Sequence, residues 1–142
     1  MKTSLYWPML AMTAWTMGVG ALAIFRRINE IRAKGIQLWK LARSRDVSSA
    51  LDDTQVMDNF NNLLQVPLLF LVWCLVSITL QLHNWLFLTG AWLYVGFRFW
   101  HTLIEITHNR VLQRFSVWMI SNIILAFLWG GTAAHLMALS FQ

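Results

Sequence analysis

The chain has 142 residues, enough for one domain; it is 58% hydrophobic and only 12% charged, about half the roughly 25% of soluble domains. That balance excludes an ordinary soluble fold and points to an integral membrane protein. The net charge of +5 does not indicate nucleic acid, because seven of the eleven Lys and Arg residues crowd between Arg26 and Arg45 beside a hydrophobic span, as in a cytoplasmic loop near anionic headgroups.

The first apolar run, 5–25, is long enough to cross a bilayer. Lys2 before it and Ala21-Leu22-Ala23 at its end mimic a signal peptide, but the run is longer than a usual apolar signal region and a dense basic block follows it. Ala11, Ala14, Gly18 and Ala21 form a stripe of small residues that lets another helix approach closely. Residues 26–53 read as a polar connector. Its Ile28, Ile31, Leu38, Trp39 and Leu41 permit some interfacial amphipathic helix, with a partly ordered loop as the alternative. Asp52 or Asp53 is a candidate cap for the next helix.

The second span, 58–80, starts polar with Asp58, Asn59, Asn61, Asn62 and Gln65 and turns apolar from Val66. Helical spacing puts Asn59, Asn62 and Gln65 on one face. Pro67 lacks an N–H and its ring disturbs the carbonyl of Leu63, which predicts a kink beside these amides. The only cysteine, Cys74, excludes an intrachain disulfide and reads as a packing residue. A turn without Lys or Arg, 81–84, leads to the third span, 85–107. A second basic connector, 108–114, precedes the fourth span, 115–139, where Ala126, Gly130, Ala134 and Ala138 make a second small-residue ridge. Asn122 and His135 on that span read as interhelical hydrogen-bond partners. Both basic connectors share one side, so both termini lie outside the cytoplasm and loops 26–53 and 108–114 inside it.

The third span carries the chemistry. Arg98, His101, Glu105 and His108 sit at i, i+3, i+7 and i+10 and share one narrow face, opposite Phe99, Leu103, Ile106 and Val111. Such a stripe is costly in lipid and faces a bundle interior or a water-filled cavity. Arg98 lies ~20 Å along the helix axis from the outer turn, with Glu105 as its countercharge. The polar start of the second span lies at the same depth. The two sets together suit an anionic, peptide-like ligand: arginines Arg98 and Arg110 for carboxylates, Asn59, Asn62 and Gln65 for amides. A purely structural network of Arg98, Glu105 and the amides is the alternative. A further alternative is a metal-dependent membrane enzyme using His101, Glu105 and His108. It lacks the second carboxylate–histidine set that di-metal bundles use, and no metal ligand is assigned. Nucleophilic catalysis by a protein side chain has little support, since Cys74 has no basic neighbour in sequence.

These segments resemble the MAPEG family, membrane-associated proteins in eicosanoid and glutathione metabolism, and most closely a little-characterised bacterial branch. The resemblance covers nearly the whole chain. It is carried by Asn59-Phe60-Asn61-Asn62-Leu63-Leu64-Gln65-Val66-Pro67, by Arg98-Phe99-Trp100-His101 through Asn109-Arg110, and by Arg114-Phe115. It implies an all-α, integral membrane four-helix bundle forming a homotrimer in the bacterial inner membrane. It also implies glutathione as cosubstrate, bound between subunits near the cytoplasmic side, and a lipophilic small molecule arriving from the lipid bilayer. Asn62 matches the helix-2 asparagine that contacts glutathione, and Arg98 an arginine late in helix 3. Gln65 stands where many members have glutamate, Asp58 where well-studied members have arginine, and His101 where tyrosine is common. Arg110 and Arg114 are the candidates for thiol activation, and Asn59, Glu105, His108 and Asn109 complete the ligand-binding set. The implied activity is a glutathione-dependent transferase or peroxidase acting on lipophilic electrophiles. A non-catalytic scaffold that binds a small amphiphile is the other reading.

Overall fold

The computed structural model describes residues 4–36, 51, 54–82, 84–108 and 110–141. All regular structure among them is α-helical: α1 (Tyr6–Lys34), α2 (Gln55–Leu63), α3 (Val66–Thr79), α4 (Trp85–Ile106) and α5 (Val111–Ser140). α2 and α3 make one interrupted rod, so the bundle has four members. α1 packs on α2, α3 and α4; α5 packs on α3 and, most extensively, on α4.

α1 continues past residue 25, and the helix permitted in the 26–53 connector is its extension. Arg26 to Lys34 are helical; Glu30 and Lys34 pair at i,i+4, 2.6 Å apart, and a glycine waits at the end. Gly35 takes the left-handed conformation (φ 60°, ψ 29°), and the N–H of Ile36 reaches back to the carbonyl of Ile31, which closes the helix terminus. At ~1.5 Å per residue the helix is about as long as a bilayer with its headgroup layers is thick. The rest of the expected basic loop, 37–50 and 52–53, and with it the Asp52/Asp53 cap, lie outside the described residues.

The kink expected at Pro67 is a full break. α2 ends at Leu63, Leu64 and Gln65 form a turn, and Pro67 sits in the first turn of α3, where its missing N–H has no partner to lose. The break carries Gln65 out to an exposed position, whereas Asn59 is fully buried. The three amides therefore do not share a face.

α4 starts at Asn84, whose side chain accepts the N–H of Leu86 at 3.0 Å, an N-cap. Its buried face repeats at helical spacing: Ala91, Tyr94, Val95, Arg98, His101, Thr102, Glu105. α5 begins at Val111, about a turn earlier than expected, so Arg114 belongs to its first turn and not to the connector.

Among the described residues, three helices are long and apolar enough to cross a membrane: α1, the α2–α3 rod and α5. α4 is not among them, because Arg98, His101, Glu105 and its Trp and Tyr residues lower its hydropathy. Arg98, His101 and Glu105 are buried inside the bundle rather than exposed. The core joins Met12, Phe70, Trp73, Cys74, Ala91, Tyr94, Leu125 and Leu128. Phe70 stacks on Tyr94 with centroids 4.4 Å apart, and Trp73 Nε1 donates to Leu128 O at 3.1 Å and Thr132 Oγ1 at 3.0 Å, tying α3 to α5.

Close helix approach uses other glycines than the small-residue stripes. A Cβ on Gly20 would stand 2.6 Å from Phe60 Cε2, and one on Gly131 would stand 2.8 Å from Phe87 Cε1. Ala14, Gly18 and Ala21 on α1, and Ala126, Gly130, Ala134 and Ala138 on α5, are exposed.

Candidate functional site

α4 presents its polar groups in two tiers. The deeper tier centres on Arg98, fully buried. Its Nε donates to Tyr94 Oη at 3.1 Å, and the guanidinium carbon lies 5.6 Å from the centre of that ring. Nη1 and Nη2 find no acceptor among the described residues. One turn on, Thr102 Oγ1 accepts from Trp15 Nε1 at 3.3 Å and meets Asn59 Oδ1 at 3.4 Å, two weak bonds joining α1, α4 and α2. Asn59 Nδ2 is also buried without an acceptor. The atoms left over in this tier of α4 and α2 are all donors.

The outer tier is where α4 turns into α5. Glu105, also buried, accepts Arg114 Nη1 on Oε1 at 3.3 Å. Its Oε2 lies 3.2 Å from His101 Nε2, at ion-pair distance but off hydrogen-bond alignment. His101 Nδ1 lies 3.2 Å from the carbonyl of Arg114; a carbonyl only accepts, so Nδ1 is the donor. These contacts hold the first turn of α5 against the last turns of α4. Beside them opens a cavity of about 290 Å³ lined by Asn62, His101, Val111, Arg114, Phe115 and Trp118. Its size is at the lower end of small-molecule sites, roughly 300 Å³ upward.

The structure thus brings Asn62, His101, Glu105 and Arg114 together and leaves Arg98 and Asn59 a tier deeper. The expected Arg98–Glu105 pairing is absent among the described contacts. Glu105 takes its partners from His101 and α5 instead, because the chain reverses just beyond Ile106. Gln65 is carried away by the Pro67 break. His108 falls past the end of α4, at a turn where Thr107 has left helical geometry (φ −106°, ψ −87°). There His108 Nε2 meets Gln113 Oε1 at 3.2 Å and Nδ1 meets Thr107 Oγ1 at 3.0 Å. His108 therefore does not join His101 and Glu105, and the described residues contain no group of three His, Cys, Asp or Glu able to hold a metal ion. Arg110 and Asp58 are exposed, His135 faces outward, and Asn122 is satisfied by the carbonyl of Trp118 at 2.8 Å. Asn109 lies outside the described residues.

The MAPEG family model matches residues 5–134, nearly the whole chain. The chain belongs to the MAPEG family. No curated protein and no solved structure matches it. Membership accords with the four-membered helical bundle and its apolar helices, and makes this an integral membrane protein. Within this MAPEG chain, Tyr94 and Thr102 belong to the candidate polar cluster and are overlooked by the pattern of charges. Each lies four positions from Arg98, and that i±4 spacing was the signal that could have found them.

Proposed function

We propose that this MAPEG protein is a glutathione-dependent transferase or peroxidase acting on lipophilic electrophiles. In this reading it works as a homotrimer in the bacterial inner membrane, with both termini outside the cytoplasm and the site near the cytoplasmic side, between subunits. The observation that carries the reading is the set of buried donors, Arg98 Nη1 and Nη2 and Asn59 Nδ2, with no acceptor beside them among the described residues. A buried donor without a partner costs about 1–3 kcal/mol, more for a charged one, and an acceptor-rich anion offsets that cost. Glutathione has two carboxylates and two peptide units and fits such a donor set. It would supply the thiol nucleophile.

The roles then divide. Arg98 and Asn59 bind carboxylate and amide oxygens, and Asn62 adds an amide at the outer cavity. Arg114 favours the thiolate over the thiol electrostatically. Of the two candidate activators, Arg114 lines the cavity and is oriented by Glu105, while Arg110 does neither. Glu105 and His101 act through Arg114, as positioning residues.

The test uses detergent-solubilised protein. Millimolar glutathione is expected to raise the melting temperature and to give an ultraviolet thiolate signal that Arg114→Ala abolishes and Arg110→Ala keeps. Absence of both effects in the unaltered protein, with stabilisation by a different anionic amphiphile, overturns the glutathione reading.

A further inference from the structure

His101 does more at the corner between α4 and α5 than hold Arg114 in place, because only one of its ring nitrogens is spent there. Nδ1 faces the Arg114 carbonyl at 3.2 Å, and a carbonyl only accepts, so Nδ1 carries the ring hydrogen. Nε2 then keeps a lone pair. It is buried and has no hydrogen-bond partner among the described residues. Glu105 Oε2 stands 3.2 Å from it but off alignment, so the lone pair is not aimed at the carboxylate. A ring fixed through Nδ1, with Nε2 unspent and a carboxylate alongside, is arranged to accept a proton and to be stabilised once it has done so.

The same ring is a wall of the cavity of about 290 Å³, with Asn62, Arg114, Val111, Phe115 and Trp118. Apart from Asn62, His101 and Arg114 these walls are apolar, and a bare charge inside them is costly. A thiol in this cavity can ionise in two ways. It can give its proton to water, leaving Arg114 as the partner of the thiolate. It can instead give the proton to Nε2: the S–H bond breaks, its electron pair stays on sulfur, and an N–H bond forms on the ring. The second way sets thiolate and Glu105 carboxylate against guanidinium and imidazolium, two charges of each sign within one corner. It needs the sulfur within reach of Nε2, directly or through one water, and such contacts commonly tighten only when the ligand is bound.

We infer that His101 is the base of the site: Nε2 takes the proton of the bound thiol while Arg114 holds the thiolate. The inference rests on the glutathione reading above, and its test counts protons rather than thiolate alone. Glutathione is mixed with the detergent-solubilised protein at neutral pH in weak buffer; a pH indicator follows protons and ultraviolet absorbance follows thiolate. S-methylglutathione, which has no S–H, corrects for the ligand's other groups. The unaltered protein should form thiolate and release almost no proton. His101→Asn keeps a side-chain N–H for the Arg114 carbonyl and loses the base; its thiolate should fall several-fold and release one proton for each thiolate formed. With 15N-labelled histidine, glutathione should also protonate Nε2 of one ring in the unaltered protein. One proton released per thiolate in the unaltered protein, or no histidine protonated, overturns the inference and leaves glutathione binding intact. Retained protons in a folded His101→Asn protein overturn it too, since another group then takes them. No thiolate in the unaltered protein overturns the glutathione reading, and this inference with it.

Discussion

Arg114 Nη1 donates to Glu105 Oε1 at 3.3 Å across the tight connection between α4 and α5. The backbone carbonyl of the same arginine receives His101 Nδ1. One residue at the start of α5 is thus held twice, by side chain and by main chain, from two successive turns of α4. The last turns of α4 and the first turn of α5 form a rigid corner that points the arginine along the cavity wall.

This corner predicts an asymmetry between its two charged members. Arg114 is about one-third exposed and reaches water, while Glu105 is buried. Arg114→Leu leaves the buried Glu105 carboxylate with only His101 beside it, off hydrogen-bond alignment, and should cost about 1–3 kcal/mol. Glu105→Gln keeps an acceptor for Arg114 and should cost less. Urea denaturation of the two variants in the same mild detergent checks the order; equal costs would mean that the corner is held by packing alone.

Arg98 behaves in the opposite sense. Among the described residues its buried guanidinium has one hydrogen bond, to Tyr94. Replacing a poorly paired buried charge by an apolar residue of similar volume is often neutral or stabilising by about 1–4 kcal/mol. Arg98→Met should therefore leave the ligand-free protein as stable as before, or more so, and remove stabilisation by glutathione. Melting curves with and without glutathione measure both. A destabilised Arg98→Met protein would mean that the arginine is structural.

Tyr94→Phe tests the same environment from its acceptor side. The phenol oxygen is the acceptor for Arg98 Nε, and the ring stacks on Phe70. Removing the hydroxyl alone keeps the stack and strands the donor, so a loss of about 1–3 kcal/mol is expected. In the Arg98→Met background the same change should cost little. A double-mutant cycle by thermal or urea denaturation gives the coupling.

The helices and their buried polar face were legible in the sequence because both follow from spacing. Arg98, His101 and Glu105 at i, i+3 and i+7 had to share a side of α4, and they do. The pairing was not legible. Whether Glu105 meets Arg98 on its own helix or Arg114 on the next depends on how sharply the chain turns after Ile106, and spacing within one helix says nothing of that. The same holds at Pro67. The proline announces a defect, but the rotation introduced by the Leu64–Gln65 turn, which separates Gln65 from Asn59, depends on how α3 seats Phe70 and Trp73 in the core. Small residues also announced close packing without saying which of them meet a neighbour within the chain.

That last distinction can be measured on two adjacent glycines of α5. Gly131 faces α4, where an added Cβ would stand 2.8 Å from Phe87 Cε1, whereas at Gly130 it meets nothing within 4 Å. Gly131→Leu must displace the phenylalanine or part the helices, and overpacking of this kind costs about 1–3 kcal/mol. Gly130→Leu has open space within the chain and should leave the fold intact. Gly130 nevertheless belongs to the exposed ridge of Ala126, Ala134 and Ala138, and such ridges in membranes serve close helix contact. If the ridge joins subunits of the proposed trimer, Gly130→Leu should lower the mass of the detergent-solubilised particle without lowering helix content. Gly131→Leu should instead lower the melting temperature. A Gly130→Leu protein that keeps its full oligomeric mass would take the ridge out of the subunit interface and leave it facing lipid.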